Sequence, residues 1–117
     1  MRYSQLRSKK AKVLNPMTID LKREEKHLTI IPHGRLDSVS SDSFKACIDE
    51  NFQAADELLT LDFSDVAFIS SKGLRVMVSI YKNLTGRSME ILDANESVRD
   101  VFRLSGLLKS FNFVYSD

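Results

Sequence analysis

The hydrophobic pattern of this chain changes kind repeatedly along its length, and that alternation restricts the architecture more than any other feature. Apolar runs of strand length trade places with stripes at helical spacing, the pattern of an α/β domain with helices packed on a sheet. Thr18–Leu21 and Leu28–Pro32 read as two strands joined by a polar hairpin turn over Lys22–Lys26. Pro32 has no N–H to give to a ladder, which places it near the end of its strand or near a sheet edge. The turn Gly34-Arg35-Leu36-Asp37 follows, and Ser38, Ser40 and Ser41 offer N-caps for a helix. Phe44, Cys47, Ile48 and Phe52 form that helix's buried stripe, which runs to about Asn51. Leu58–Phe63 is almost continuously apolar, the pattern of a central strand buried on both faces, and Val66–Ile69 extends that character toward the next turn. A second helix has Leu74, Met77, Val78, Tyr81 and Leu84 as its stripe, with Arg75, Ser79 and Lys82 on the opposite side. Gly86 is placed to end it in the left-handed conformation. Ser88–Leu92 is a further strand. Asn95 caps a third helix that carries Val98, Val101 and Phe102 and closes at Gly106, and Phe111–Tyr115 is a last strand or extended tail. The order is β-β-α-β-α-β-α-β. It gives a mixed β-sheet of four to five strands packed by three to four helices, with right-handed crossovers between like-directed strands.

A length of 117 residues suits one domain, and no repeat or linker divides the chain. The net charge of +1 conceals an asymmetry. Residues 1–16 hold five of the 17 basic residues (Arg2, Arg7, Lys9, Lys10 and Lys12) and no acid, which leaves 12 bases against 16 acids, a net of −4, for the remainder. We read 1–16 as a basic flexible N-terminal extension and 17–117 as the folded domain. The acidity of that domain argues against direct nucleic-acid binding by it. No apolar run approaches the roughly 20 residues that span a bilayer, and the first residues lack the apolar stretch of a signal peptide. The expected location is therefore cytoplasmic, with no membrane association. Cys47 is the one cysteine, so an intrachain disulfide is excluded, and its place on the helical stripe makes it a small buried hydrophobe.

The motifs of common catalysts are missing. His27 and His33 stand six apart with no second cysteine or carboxylate pair at ligand spacing, so they read as structural or surface histidines, not as a metal site. There is no G-x-S-x-G elbow, no P-loop and no G-x-G-x-x-G, so neither catalysis nor a cofactor is expected. One segment does ask for an explanation. In Ser64-Asp65-Val66-Ala67-Phe68-Ile69-Ser70-Ser71-Lys72-Gly73-Leu74-Arg75, two hydroxyls fall where a strand gives way to a helix. A helix N-terminus has unpaired N–H groups and partial positive charge, which suit both a hydroxyl cap and a phosphate. Lys72 and Arg75 would partly offset a phosphoserine's charge of about −2 there. These considerations alone leave cap and phospho-switch both open.

The run Leu61-Asp62-Phe63-Ser64-Asp65-Val66-Ala67-Phe68-Ile69-Ser70-Ser71-Lys72-Gly73-Leu74-Arg75 resembles the signature of STAS domains, especially those of bacterial anti-sigma factor antagonists. Gly34-Arg35-Leu36-Asp37 is similar to that family's first conserved loop, and Val98–Gly106, with Leu104-Ser105-Gly106-Leu107, to its last helix and turn. The likeness spans about Met17–Val114. It implies an anti-anti-sigma factor: a non-enzymatic module that binds an anti-sigma factor, often a serine kinase of the histidine-kinase-like ATPase type, and so frees a sigma factor for transcription. Phosphorylation of one serine at the start of the central helix breaks such a complex, and a serine phosphatase restores it. The matching serine is Ser71, with Ser70 as the alternative, and the implied partner surface is Asp37, Ser38, Ser70, Ser71, Lys72, Gly73 and Arg75. The chain departs from the common Asp-Ser-(Ser/Thr)-Gly pattern: Ser70 stands where an aspartate is usual and Lys72 where a small residue is usual. Another reading within the same fold is a STAS subunit of a lipid-transport ABC system, bound to an ATPase subunit without phosphorylation. A nucleotide-binding domain or small enzyme, and a scaffold piece of a sensory complex, are the readings from other classes.

Overall fold

The first two strands are longer than their apolar cores. In the computed structural model, which describes residues 17–116, β1 (Thr18–Glu24) and β2 (His27–Leu36) form an antiparallel hairpin that pairs Thr18 with His33 and Glu24 with His27. The basic segment 1–16 lies outside the described residues. The turn is only Glu25 and Lys26, and Glu25 takes the positive φ of 54° that so tight a reversal demands. Most of Lys22–Lys26 is therefore strand.

β2 divides its far edge between two partners. Its first residues, His27–Ile30, pair in parallel with β3 (Leu58–Asp62), and Gly34–Leu36 pair in parallel with β4 (Val66–Ile69). At the second pairing the register shifts between Gly34 and Arg35. Gly34 has φ 120°, a conformation that glycine adopts without strain, and donates its N–H to the Asp65 carbonyl at 3.0 Å. Gly34-Arg35-Leu36 thus continues the strand through a bulge, and the chain leaves the sheet only at Asp37. Strand N–H groups alternate in direction. Pro32, two residues before Gly34, therefore turns its ring nitrogen to the gap between β3 and β4, where no ladder bond is forfeited. That gap, and not a sheet edge, is what tolerates the proline.

β5 (Ser88–Leu92) pairs with β3 and β6 (Phe113–Val114) with β5, all in parallel, so the sheet runs β1-β2-β3-β5-β6 with β4 beside β2. Three helices complete the domain: α1 (Ser41–Asn51), α2 (Ser71–Lys82) and α3 (Glu96–Leu104), followed by a 3-10 turn at Leu108–Ser110. The fold is the expected mixed α/β sheet with three helices. β4 is one strand more than the alternation gave, and the order becomes β-β-α-β-β-α-β-α-β.

One sheet face is apolar and covered. Ile19, Leu21, Leu28, Ile30, Leu59, Leu61, Met89 and Ile91 are buried in one cluster with Phe44 and Ile48 of α1, Met77 and Ile80 of α2, and Val98 and Phe102 of α3. Burying one such side chain contributes about 1.5–3 kcal/mol. The opposite face is polar, yet the centre of β3 is buried on that side as well, as expected of a central strand: Thr60 is 3% exposed. Thr60 there bonds His27 Nε2 at 2.7 Å and donates to Glu90 Oε2 at 2.8 Å, linking β2, β3 and β5.

The stripe of α2 is also rotated from the one expected. Leu74, Val76, Met77 and Ile80 are buried, whereas Val78 is half-buried and Tyr81 is 47% exposed. The helix ends at Lys82, and Gly86 (φ 86°) serves a turn beyond it together with Thr85 (φ 51°). α3 behaves as its sequence predicts. Asn95 Oδ1 accepts the Val98 N–H at 2.8 Å, and Gly106 (φ 75°) closes a Schellman motif in which the Leu107 N–H reaches the Phe102 carbonyl at 2.8 Å.

Candidate functional site

α2 starts where it does because Ser70 caps it. Ser70 is extended (φ −90°, ψ 174°), and its Oγ accepts the Gly73 N–H at 3.1 Å. Its own N–H donates to the Leu36 carbonyl at 2.9 Å, which fixes the helix against the end of β2. Gly73 makes that approach possible. A Cβ at this position would stand 2.6 Å from the Leu36 carbonyl oxygen and 2.8 Å from Ile69 Cγ1, closer than real contacts allow. Gly73 is buried and takes its part by letting the backbones meet, not by presenting a surface.

The two serines thereby separate. The Ser70 hydroxyl is occupied by its cap and the residue is half-buried. Ser71, the first residue of the helix, is exposed, and its hydroxyl bonds no other described residue. It stands at the electropositive end of the helix, where N–H groups lack intrahelical partners.

Beside it lies the loop from β2 to α1. Asp37 Oδ1 accepts the N–H groups of Val39 (3.0 Å) and Ser40 (3.1 Å). The Ser40 N–H above all holds the Asp37 carboxyl below the usual carboxylate range, against a smaller opposing effect of burial. Ser40 occupies the N-cap position of α1 but makes no cap bond, because its backbone is helical there (φ −89°, ψ −16°). Its Oγ instead donates to the Arg35 carbonyl at 2.6 Å, and Ser41 Oγ donates to the Asp37 carbonyl. Of the three serines expected to cap α1, none does. Ser38 is exposed, and its carbonyl oxygen lies 3.5 Å from Lys72 Nζ. Lys72 also pairs with Asp42 of α1 at 3.0 Å, an exposed ion pair of small worth. Asp37, Ser38, Ser70, Ser71, Lys72 and Gly73 are thus one neighbourhood. Arg75 stands one turn along α2 from Ser71 and is exposed.

An open groove of about 400 Å³ adjoins the Ser71 hydroxyl, lined by Phe68, Leu74, Val101 and Leu104 among others. Leu104 is 85% exposed, and the Arg35 guanidinium lies over the Phe68 ring at 4.4 Å. The sequence reading missed these groove residues as a surface. The available signal was Leu104, an apolar residue two positions past Phe102 and so off the buried stripe of α3.

A second cluster of titratable groups joins β1, β2 and the β3–β4 connection. His33 Nδ1 is 2.6 Å from Asp65 Oδ2 and its Nε2 is 3.0 Å from Asp20 Oδ2. Both ring nitrogens can donate only in the imidazolium form. Burial opposes that charge, but the hydrogen bonds to Asp65 and Asp20 together outweigh it and hold the His33 pKa above its ordinary value. Among the described residues, no helix is long and apolar enough to cross a membrane.

The family model for the STAS domain matches residues 18–117. Among solved structures, the chain is similar in fold to an anti-sigma factor antagonist from Mycobacterium paratuberculosis, with a TM-score of 0.76 and 21% identity over 84% of this chain and 85% of that one. It is similar to the anti-sigma factor antagonist SpoIIAA in its unphosphorylated form, with a TM-score of 0.72 and 22% identity over 85% and 88% of the two chains. It is similar again to the Bacillus cell fate determinant SpoIIAA in its phosphorylated form, with a TM-score of 0.67 and 21% identity over 85% and 91%. The chain belongs to the STAS domain family.

Proposed function

We propose that this chain is a partner-switching module of the anti-sigma factor antagonist kind, which docks through the start of α2 on an anti-sigma factor with serine-kinase activity and is released when Ser71 is phosphorylated. The observation that carries this reading is the Ser71 hydroxyl, exposed at a helix N-terminus with no partner among the described residues, on the rim of an open apolar groove. Support comes from SpoIIAA, an anti-sigma factor antagonist of similar fold that exists in unphosphorylated and phosphorylated forms.

The roles follow from the geometry. In the unphosphorylated state the partner covers Ser71, Ser38 and the groove of Phe68, Leu74, Val101 and Leu104. Asp37 shapes the adjoining loop by holding its amides, and Gly73 lets α2 rest against β2. The kinase transfers the γ-phosphoryl group of ATP to Ser71 Oγ, ADP leaves, and the hydroxyl proton passes to a base on the kinase. The new group carries about −2 charge. In the free chain it is solvated, lies at the positive end of α2 and is one helical turn from Arg75, so the fold tolerates it. In the complex it is driven into a closed interface. An uncompensated buried charge costs about 3–5 kcal/mol, which corresponds to a loss in affinity of roughly a hundredfold or more. Ser70 is the poorer acceptor because its oxygen already serves the cap.

Incubation with a serine-kinase anti-sigma factor and ATP, followed by peptide mass spectrometry, is expected to place a single phosphate on Ser71. Modification of Ser70 alone, or of neither serine, overturns the assignment.

A further inference from the structure

Most cations of the described domain are matched by the protein's own groups. Arg23 pairs with Asp56, Lys26 with Glu57, Arg35 with Asp37, Lys45 with Asp49, Lys72 with Asp42 and Arg103 with Asp100. Arg87 reaches the carbonyls of Leu84 and Gln53. Of the other cations without an ion pair among the described residues (Lys22, Arg75, Lys82, Arg99 and Lys109), Arg75 and Lys82 are the two exposed on one helix. At 100° per residue, Ser71, Arg75, Val78 and Lys82 fall within about 60° of one another, opposite the buried stripe. They form one ridge about 16 Å long. α2 contains no Asp or Glu, although residues 17–117 carry a net −4. The ridge borders a shallow groove of about 410 Å³ lined by Arg75, Val78, Ser79, Lys82 and Asn83.

We propose that this ridge docks an acidic segment of a protein partner, with Arg75 and Lys82 as its two anchoring cations, and that a phosphate on Ser71 competes with that segment for Arg75. The competition rests on the assignment of Ser71 above, whereas the acidic docking does not. Two unmatched cations on a helix free of acids, in a domain otherwise acidic, select for carboxylates and repel basic surfaces. Ser71 and Arg75 are i and i+4, the spacing at which side chains on a helix surface meet. A phosphate there meets the guanidinium within the same helix and leaves a partner carboxylate without its counter-charge. The net negative charge of the domain disfavours an anionic membrane as the occupant.

The test is an amide and arginine-Nε NMR titration of the full chain with an octaglutamate peptide. Shifts are expected along Ser71–Asn83 and at Arg75 Nε. In the doubly substituted R75E/K82E chain, affinity at those signals should fall about fivefold, as for two exposed ion pairs, and high salt should have a comparable effect. Ser71→Asp should weaken the same signals about twofold. Shifts confined to residues 1–16, equal affinity in R75E/K82E, or co-sedimentation with phosphatidylserine vesicles that R75E/K82E abolishes each overturn the docking proposal. If Ser71→Asp leaves the affinity unchanged, the competition is overturned alone. No kinase takes part, so failure here is distinct from a failure to phosphorylate Ser71.

Discussion

Two helices of this domain begin with the same dipeptide, and the two serine pairs have opposite fates. At α1, Ser40 and Ser41 are both 0% exposed. Their hydroxyls hold the carbonyls of Arg35 and Asp37, so they brace the loop from within. At α2, Ser70 caps the helix and Ser71 faces solvent. The backbone decides the difference. Ser40 has helical angles that draw its hydroxyl inward, whereas extended Ser70 aims its oxygen along α2 and leaves the next residue outside. A hydroxyl is available to a partner or a kinase only where the fold does not already consume it. Of these four, Ser71 alone is in that position among the described residues.

Substitutions can break this contrast. The largest effect is expected for Gly73→Val, because the added carbons collide with the Leu36 carbonyl and Ile69, and the start of α2 must shift. Urea unfolding should show a loss of about 2–3 kcal/mol. Ser40→Ala comes next. It leaves the partly buried Arg35 carbonyl and Asp37 N–H without the hydroxyl they share, at about 1–2 kcal/mol. Ser70→Ala removes one cap bond, worth about 1 kcal/mol, while Ser71→Ala should stay within about 0.5 kcal/mol of wild type. A Ser40→Ala loss no greater than that of Ser71→Ala would erase the contrast.

A smaller, pH-dependent effect belongs to the polar face. The folded His33 pKa is raised, so its stabilisation is complete below the unfolded value of about 6.5 and is lost as pH rises through the folded value. His33→Gln should therefore cost most near pH 6 and progressively less above neutrality, as measured by urea unfolding at each pH. A cost that grows with pH would contradict the imidazolium bridge between Asp20 and Asp65.

Much of this was legible in the sequence where local chemistry decides the outcome. Asn95 and Gly106 marked both ends of α3, the Phe44, Cys47 and Ile48 stripe gave α1 to its last residue, and the strand-to-helix junction at Ser70 and Ser71 stood out. What failed depended on tertiary contacts. α2 is apolar at Leu74, Val76, Met77, Val78, Ile80 and Tyr81, too many positions for periodicity to choose a face; the contact of Gly73 with Leu36 chooses it. Gly34 looked like an exit turn because a bulge and a turn ask the same freedom of a glycine. Val66–Ile69 is a strand only because β2 outlasts β3 and offers its last residues an edge. The groove at Leu104 depends on how α3 lies beside α2, which no single periodicity records.

The most direct measurement is the affinity of a serine-kinase anti-sigma factor for this chain with and without a phosphate on Ser71, determined by calorimetry alongside Ser71→Ala. We expect the phosphate to weaken binding by roughly a hundredfold or more while Ser71→Ala binds as wild type does. Equal affinity for the two forms, or a loss in Ser71→Ala as large as that caused by the phosphate, would contradict a switch at this hydroxyl.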